Sequence, residues 1–454
     1  MSSHPSPVPG FGTDGIRGVA NAELTPEVVL ALGRAAARTL GGGRFLVGRD
    51  TRRSGSLLFA ALAAGLTAEG ADVVDLGVLP TPGLAFESAT LGLPGAMISA
   101  SHNPYADNGV KFFSAGGRKL PDALESSIEA QYQVLLTVAA SNHAGQAPTG
   151  AGVGVITDGG QARRNYGAAM MTALEGRNLR GLKVVLDCAN GAASQVAPEV
   201  VAALGAEVVV LHHEPDGINI NRACGSTHPE SLQAAVVEQQ AHVGLAFDGD
   251  ADRCLAVDAC GRRVDGDQIM AMCALDMRDR SRLDHDTVVV TVMTNLGFKL
   301  AMADAGIAVV ETPVGDRYVL EALERGGYSL GGEQSGHVIF TERATTGDGL
   351  LSGLAVMDLM CRSGRSLADL ASVMTRLPQV LRNVSGVQRA RLDGAQRLWR
   401  EVELVEAELA GRGRVLLRPS GTEDLVRVMV EAPTAAMAEA AAQRLCAIVA
   451  TELS

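Results

Sequence analysis

An α/β protein of three repeated units and a differently patterned tail is the fold class this sequence predicts, on three observations. One phrase recurs: a β-branched run, an Ala/Leu-rich helical stretch, a glycine at its end, and a second β-branched run. Alanine and glycine are abundant while aromatics make up only 3%, which favours helices packed closely on sheets. The 454 residues also exceed one ordinary core, so two to four domains are expected.

The first copy runs from a strand at 44–50 through a helix over about 54–69, ended by Gly70, into a strand at 71–76. The second has a strand at 182–187, a helix to about 204, Gly205 and a strand at 206–211. The third has a strand at 287–292, a helix to about 305, Gly306 and a strand at 307–310. Such βαβ units imply parallel or mixed sheets covered by helices. They also look alike in any α/β protein, so chance similarity is the alternative to a true repeat. The tail differs: runs at 380–384, 415–417 and 425–430 read as strands, and a helix over about 434–451 closes a small α+β domain. The Ala/Ser/Gly/Thr stretch at 139–154 reads as a linker, with further breaks near 258–263 and 377–383. The expected domains are therefore 1–150, 155–257, 258–372 and 378–454.

Hydrophobic content of 47% with 20% charged residues is that of a soluble globular protein. The net charge of −12 argues against nucleic acid or an anionic membrane as partner, so an anionic substrate needs a local cluster of Arg and Lys. Seven cysteines without C-x-x-C spacing suit reduced thiols and a cytoplasmic setting. The N-terminus does not read as a signal peptide, and no apolar run is long enough to span a bilayer.

Chemistry concentrates in short segments. Ile98-Ser-Ala-Ser-His-Asn-Pro104 ends a short apolar run in a polar tip that Pro104 stops. The carboxyl end of a strand is where an α/β sheet places its reactive groups, and Ser101, with His102 and Lys111 nearby, is the candidate phosphoryl carrier. An ordinary strand-to-turn exit uses the same residue types. Asp248-Gly-Asp250-Ala-Asp252-Arg253 places three carboxylates at alternate positions, which in an extended strand share a face and with local curvature can all reach one hard cation such as Mg²⁺. It is no calcium loop, because Arg253 stands at the sixth position and Ala259 at the twelfth. Arg253 either offsets the carboxylates or holds phosphate, and Asp265-Gly-Asp267 reads as a surface turn. Arg418-Pro-Ser420-Gly421-Thr422-Glu423, with Arg427 downstream, offers hydroxyls, converging N–H groups and guanidinium to an anion; a plain hairpin turn is the alternative. Glu333, Ser335 and His337 lie between glycines with donors and acceptors suited to sugar hydroxyls, although a lone histidine there is more often structural. The turn at 12–18 adds Arg17.

Together the segments at 11–18, 98–104, 248–253, 332–337 and 418–422 resemble the α-D-phosphohexomutases, in that family's order and over nearly the whole chain. The resemblance implies four domains around a central cleft, the first three sharing an α/β core. It implies a phosphoserine at Ser101 and one Mg²⁺ held by Asp248, Asp250, Asp252 and a phosphoserine oxygen. Arg17, His102 and Lys111 then assist proton transfer and charge stabilisation, and Glu333 and Ser335 contact sugar hydroxyls. Arg418, Ser420, Gly421 and Thr422 grip the phosphate that is not being transferred. Gln334, where glucose- and mannose-phosphate relatives typically have Met, points to a hexosamine phosphate, as does Gly315-Asp-Arg-Tyr-Val-Leu320. The implied reaction interconverts glucosamine 6-phosphate and glucosamine 1-phosphate through a 1,6-bisphosphate and feeds UDP-N-acetylglucosamine and cell-wall precursors. A glucose/mannose-phosphate mutase is the nearer rival, and a phosphatase using Asp248 as nucleophile the farther. Asp424 stands where the family usually has Pro and is expected to point to solvent. A homodimer is compatible with the sequence and not specified by it.

Overall fold

The computed structural model describes residues 9–12, 14–137, 147–420 and 424–454. The chain divides into two compact units, Met1–Val292 with Val309–Ala371, and Met293–Ala308 with Ser372–Ser454.

The larger unit holds three sheets with one repeated plan. In the first, Arg44–Arg49 lies between Asp72–Val78 and Gly95–Ile98 and parallel to both, and Gly95–Ile98 pairs antiparallel with Asp107–Phe113. In the second, Lys183–Asp187 is parallel to Glu207–Leu211 and Val243–Phe247, and Val243–Phe247 pairs antiparallel with Cys254–Asp258. In the third, Thr287–Thr291 neighbours Ala308–Thr312 and is parallel to Leu330–Gly332, which pairs antiparallel with Val338–Phe340. Each plan is a trio of neighbouring strands ending in a hairpin between its third and fourth strands. That identity of strand order makes the repeat a structural one rather than a chance likeness of βαβ units.

Composition explains the close packing. Helices Pro26–Thr39 and Gly55–Ala68 bury Ala35, Ala36 and Ala63 completely, with Phe45 and Val47 of the central strand in the same core. Thr25 accepts from Val28 N at 3.4 Å and Pro26 follows, the capping chemistry that starts a helix.

Three sequence readings need correction. The strand Ile156–Asp158 pairs parallel with Asp72–Val78, so chain beyond residue 150 completes the edge of the first sheet. The stretch read as a break near 258–263 is a hairpin inside the second sheet, where Val257 pairs with Arg263. Asp265-Gly266-Asp267 is no surface turn: both aspartates are buried, and Asp265 caps helix Gly266–Asp279 in a capping box with Gln268.

The smaller unit carries a sheet in the order Gln379–Ser385, Leu425–Glu431, Arg414–Pro419, with helices Gln396–Leu409 and Ala435–Glu452. This matches the α+β reading of the tail. Its buried Glu431 accepts from Gln379 Nε2 (2.9 Å), Arg414 Nε (2.7 Å) and Leu296 N (2.9 Å), joining helix Leu296–Asp304 to the sheet. No helix among the described residues is long and apolar enough to cross a membrane.

Candidate active site

The three hairpins of the repeated plan place the chemistry. The fully buried strand Gly95–Ile98 delivers Ser101, which lies in the left-handed region at φ +50° and is itself buried. Its Oγ donates to Asp248 Oδ2 at 2.5 Å, and His102 Nδ1 lies 3.3 Å from it. The loop is held from behind through its carbonyls. Arg52 Nη2 donates to Ser101 O and Asn103 O, each at 2.9 Å, and Asn221 Nδ2 donates to the same two oxygens at 2.8 and 3.1 Å. Arg52 is paired with Asp50 at 2.8 Å with neither side chain exposed, and Ser99 Oγ bridges Asp50 Oδ2 (2.7 Å) and Ser101 N (2.9 Å). Burial raises the Asp50 carboxyl more than Arg52 lowers it. Sequence reasoning missed Asp50, Arg52, Ser99 and Asn221.

The second hairpin carries Asp248, Asp250 and Asp252, all buried, with carboxylate oxygens within 4.8 Å of one another. The expected convergence comes with local curvature: the loop turns through Ala251 at φ +57°. Gly249 is needed for its closeness to the first loop, since a Cβ there would lie 2.6 Å from Ser101 O. Three successive carbonyls of this loop, of Gly249, Asp250 and Ala251, accept from Ala192 N (2.8 Å), Thr81 N (2.9 Å) and Gly349 N (3.0 Å). Each donor stands at the N-terminal end of a helix, so three helix dipoles favour negative charge here.

Cations complete the surroundings. Lys111 Nζ lies 2.9 Å from Asp14, 3.0 Å from Asp250 and 3.8 Å from Asp252. Burial works against its charge, yet the three carboxylates raise its affinity for the proton above the usual lysine value. Asp14 also pairs with Arg17 and with Lys119 (2.5 Å); burial raises its carboxyl, but these cations hold it well below the usual range. Lys119 continues to Asp316, and His337 sits between Asp316 (3.7 Å) and Asp252 (3.6 Å). Arg253 Nη1 lies 3.2 Å from His102 Nδ1. Burial, then Arg253 and Arg17, push His102 down to about 4.

The carboxylate set fits a divalent cation on two grounds. Burial, then Asp252 and Asp250, drive the Asp248 carboxyl well above its usual value, a charge conflict that a divalent cation among the three carboxylates would relieve. Among the described residues, buried Oδ1 atoms of Asp250 and Asp252 have no hydrogen-bond partner, which leaves two hard oxygen donors available.

The third hairpin carries Glu333 and Ser335, which face each other at 3.5 Å, while Glu333 Oε1 accepts from Gly315 N at 3.2 Å. Gln334 Nε2 is buried without a hydrogen-bond partner among the described residues. His337 turns inward. Its ring is buried, Nε2 accepts from Gly347 N at 3.0 Å, and it backs Asp252. That inward turn is the structural alternative that a lone histidine at this place also offered.

In the smaller unit Arg418 and Arg427 stand directly opposite on paired strands, a like-charge pairing that costs stability unless an anion is bound. Burial, then Arg427, lower the Arg418 guanidinium's affinity for its proton. Ser420 is buried at the loop's start, while Gly421 and Thr422 lie outside the described residues. Asp424 points to solvent as expected, 3.7 Å from Arg389.

Four family models match the chain in sequence order. They are the phosphoglucomutase/phosphomannomutase alpha/beta/alpha domains I (residues 9–137), II (165–261) and III (265–377), and the C-terminal domain (372–448). The phosphoglucosamine mutase of Frankia casuarinae is 55% identical over 98% of each chain. That of Streptomyces avermitilis is 55% identical over 98% of this chain and 99% of its own. Among solved structures, a phosphoglucomutase/phosphomannomutase family protein from Burkholderia thailandensis aligns over 97% of both chains with TM-score 0.80 and 25% identity. Aspergillus fumigatus N-acetylphosphoglucosamine mutase, solved with GlcNAc-6P and magnesium, shares the fold at TM-score 0.71 and 20% identity over 98% of this chain and 96% of its own.

Proposed function

The chain belongs to the phosphoglucomutase/phosphomannomutase family, and from that premise we propose that it interconverts glucosamine 6-phosphate and glucosamine 1-phosphate. The carrying observation is Ser101 Oγ at 2.5 Å from Asp248, inside a buried set of three carboxylates. A serine so placed reads as a carrier that begins phosphorylated. Its neighbour His102, held down to about 4 next to Arg253, is poorly suited to activating a free hydroxyl.

Asp248, Asp250 and Asp252, with an oxygen of phospho-Ser101, would hold Mg²⁺, which when bound supplies positive charge beside the transferring group. In the forward half-reaction the Oγ–P bond of phospho-Ser101 breaks as a P–O bond forms to the sugar's free hydroxyl. The hydroxyl proton ends on Ser101 Oγ, leaving a sugar 1,6-bisphosphate. The bisphosphate reorients, the other phosphate returns to Ser101, and the isomer leaves. Lys111, Arg17 and Arg253 stabilise charge on the transferring group and offset the carboxylates. Glu333 and Ser335 take the sugar hydroxyls, and Gln334 with its buried amide favours the amino sugar. His337 positions Asp252 rather than the substrate. Arg418, Ser420, Gly421, Thr422 and Arg427 take the phosphate that is not transferred, a role supported by the facing arginines. Seven free thiols support the reducing cytoplasm as the compartment.

Mass spectrometry of the purified protein, coupled to a glucosamine-phosphate assay, tests the reading. Phosphate is expected on Ser101, and glucosamine phosphates should outpace glucose and mannose phosphates. A hydroxylamine-labile label on Asp248, with none on Ser101, would replace the mutase by a phosphatase. Faster turnover of mannose or glucose phosphate would move the substrate assignment to the nearer rival.

A further inference from the structure

A groove of about 470 Å³ opens beside the carrier loop, lined by His102, Tyr105, Arg222, Thr227 and His228. Of these, the mechanism above has only His102 in view. The groove has the size of a small-ligand site and begins one residue from the reactive serine.

Its far wall is a loop built at a cost. Asn221, Ala223 and Gly225 are all left-handed, at φ +57°, +53° and +71°. For Ala223 in particular that conformation is sparsely populated and persists only where its surroundings enforce it. Here they do. Asn221 N donates to Ala189 O at 2.9 Å, Ser226 N to Phe247 O at 2.8 Å, and the Asn221 amide reaches the two carrier-loop carbonyls. The result is a fixed loop that turns Arg222, Thr227 and His228 outward, all exposed. Arg222 has no ion-pair partner among the described residues, in a chain whose net charge is −12. A guanidinium left bare in an acidic protein, beside a phosphoryl carrier, is a phosphate-binding arrangement. Tyr105 adds an exposed aromatic ring across the groove, a surface for the apolar face of a sugar.

We propose that this groove is a holding subsite for the sugar 1,6-bisphosphate, in which Arg222 grips one phosphate, Thr227 and His228 donate to it, and Tyr105 covers the ring. The inference rests on the mutase reading. Between half-reactions the intermediate must leave its first pose before taking the second, and escape at that moment leaves Ser101 unphosphorylated and the enzyme idle. A grip beside the carrier loop lowers that escape without touching either transfer.

The test is a partition experiment. Enzyme carrying radiolabelled phosphate on Ser101 is mixed with glucosamine 6-phosphate, and label released as free bisphosphate is separated from label in monophosphate and on protein. Arg222→Ala should raise the released fraction about ten-fold and make turnover depend on added glucosamine 1,6-bisphosphate, with Arg222→Lys intermediate. An unchanged partition in Arg222→Ala/His228→Ala, at an unchanged melting temperature, overturns the subsite. Should those variants fail to fold, Tyr105→Ala and Thr227→Val are read in the same way, and an unchanged partition in both overturns it equally. Failure of the underlying reading looks different: wild-type enzyme then takes no label on Ser101 at all. Calorimetry of bisphosphate binding to Ser101→Ala with and without Arg222→Ala, in which no transfer can occur, supplies a second readout. Equal affinities there also overturn the groove.

Discussion

The loop that carries Ser101 and the loop that carries the three aspartates occupy the same hairpin in successive repeats, yet they are held in opposite ways. The Ser101 loop hangs from side chains: its carbonyls rest on Arg52 and Asn221, and Arg52 rests on Asp50. The aspartate loop hangs from backbone: Gly249, Asp250 and Ala251 each accept from the N-terminal end of a different helix. On the proposed function, a residue that accepts and returns a phosphoryl group is thus fixed behind its Oγ, with the hydroxyl left to face the carboxylates. Carboxylates that must stay charged are instead set where helix dipoles favour that charge. The difference makes the hold on the first loop sensitive to single side-chain replacements, whereas the bonds holding the second survive them, Gly249 excepted.

The largest expected effect removes the carrier itself. Ser101→Ala should keep its melting temperature and lose at least about a thousand-fold in turnover; retained turnover would sink the carrier assignment. Next comes the charge of the second loop. Chelation should cut activity by about a hundred-fold or more, Mg²⁺ should restore it in the native chain, and Asp250→Asn should not be restored. Full activity in EDTA would remove the metal role.

Arg52→Met addresses the contrast directly. It leaves Asp50 buried and unpaired, so a loss of about 3–5 kcal/mol is expected by denaturant melting. Thr81→Val removes only the bond to Asp250 Oδ2 and keeps the backbone one, so about 1 kcal/mol is expected. Equal costs would break the distinction between the two loops. The smallest effect concerns Asp348, which caps the helix whose first N–H holds Ala251 O. Burial raises its carboxyl to about 6, opposed by its bonds from Leu351 N and Tyr166. Because the folded value exceeds the unfolded one, its contribution is complete below about pH 4 and is lost as pH rises through about 6, at most about 3 kcal/mol. Asp348→Asn should flatten that slope in melts between those values; an unchanged slope would assign it to another group.

Much of the site was legible because its segments are local. Ser101, the alternate aspartates and the Glu333–Ser335 pair are each read within a few residues of one another, and the small helix residues announced close helix–sheet packing. What sequence reading missed is non-local. Arg52 acts on carbonyls, which carry no side-chain signature, and Asn221 lies 120 residues from Ser101. Asp265 and Asp267 were misread because Asp-Gly-Asp suits a turn equally well, and only the following helix decides that Asp265 is a cap. For His337 the sequence left a ligand role and a structural role both open, because its partners, Asp252 and Asp316, come from two other segments. The strand Ile156–Asp158 follows a linker-like stretch, and its edge position shows only once Asp72–Val78 is in place.

The three hairpins have one further consequence. Ser101, the three carboxylates and the Glu333–Ser335 pair sit on separate copies of the same socket, each closed by its own pair of strands. The sockets also interlock, since Ser101 Oγ reaches Asp248 and Gly336 O accepts from Cys254 N at 3.0 Å, so a change in one is felt in the next where they touch. In the third tip Glu333 bonds to Ser335 and to Gly315 while His337 backs Asp252, so exchanging 333–335 between relatives with His337 kept is the change expected to alter sugar preference and leave the carboxylates in place.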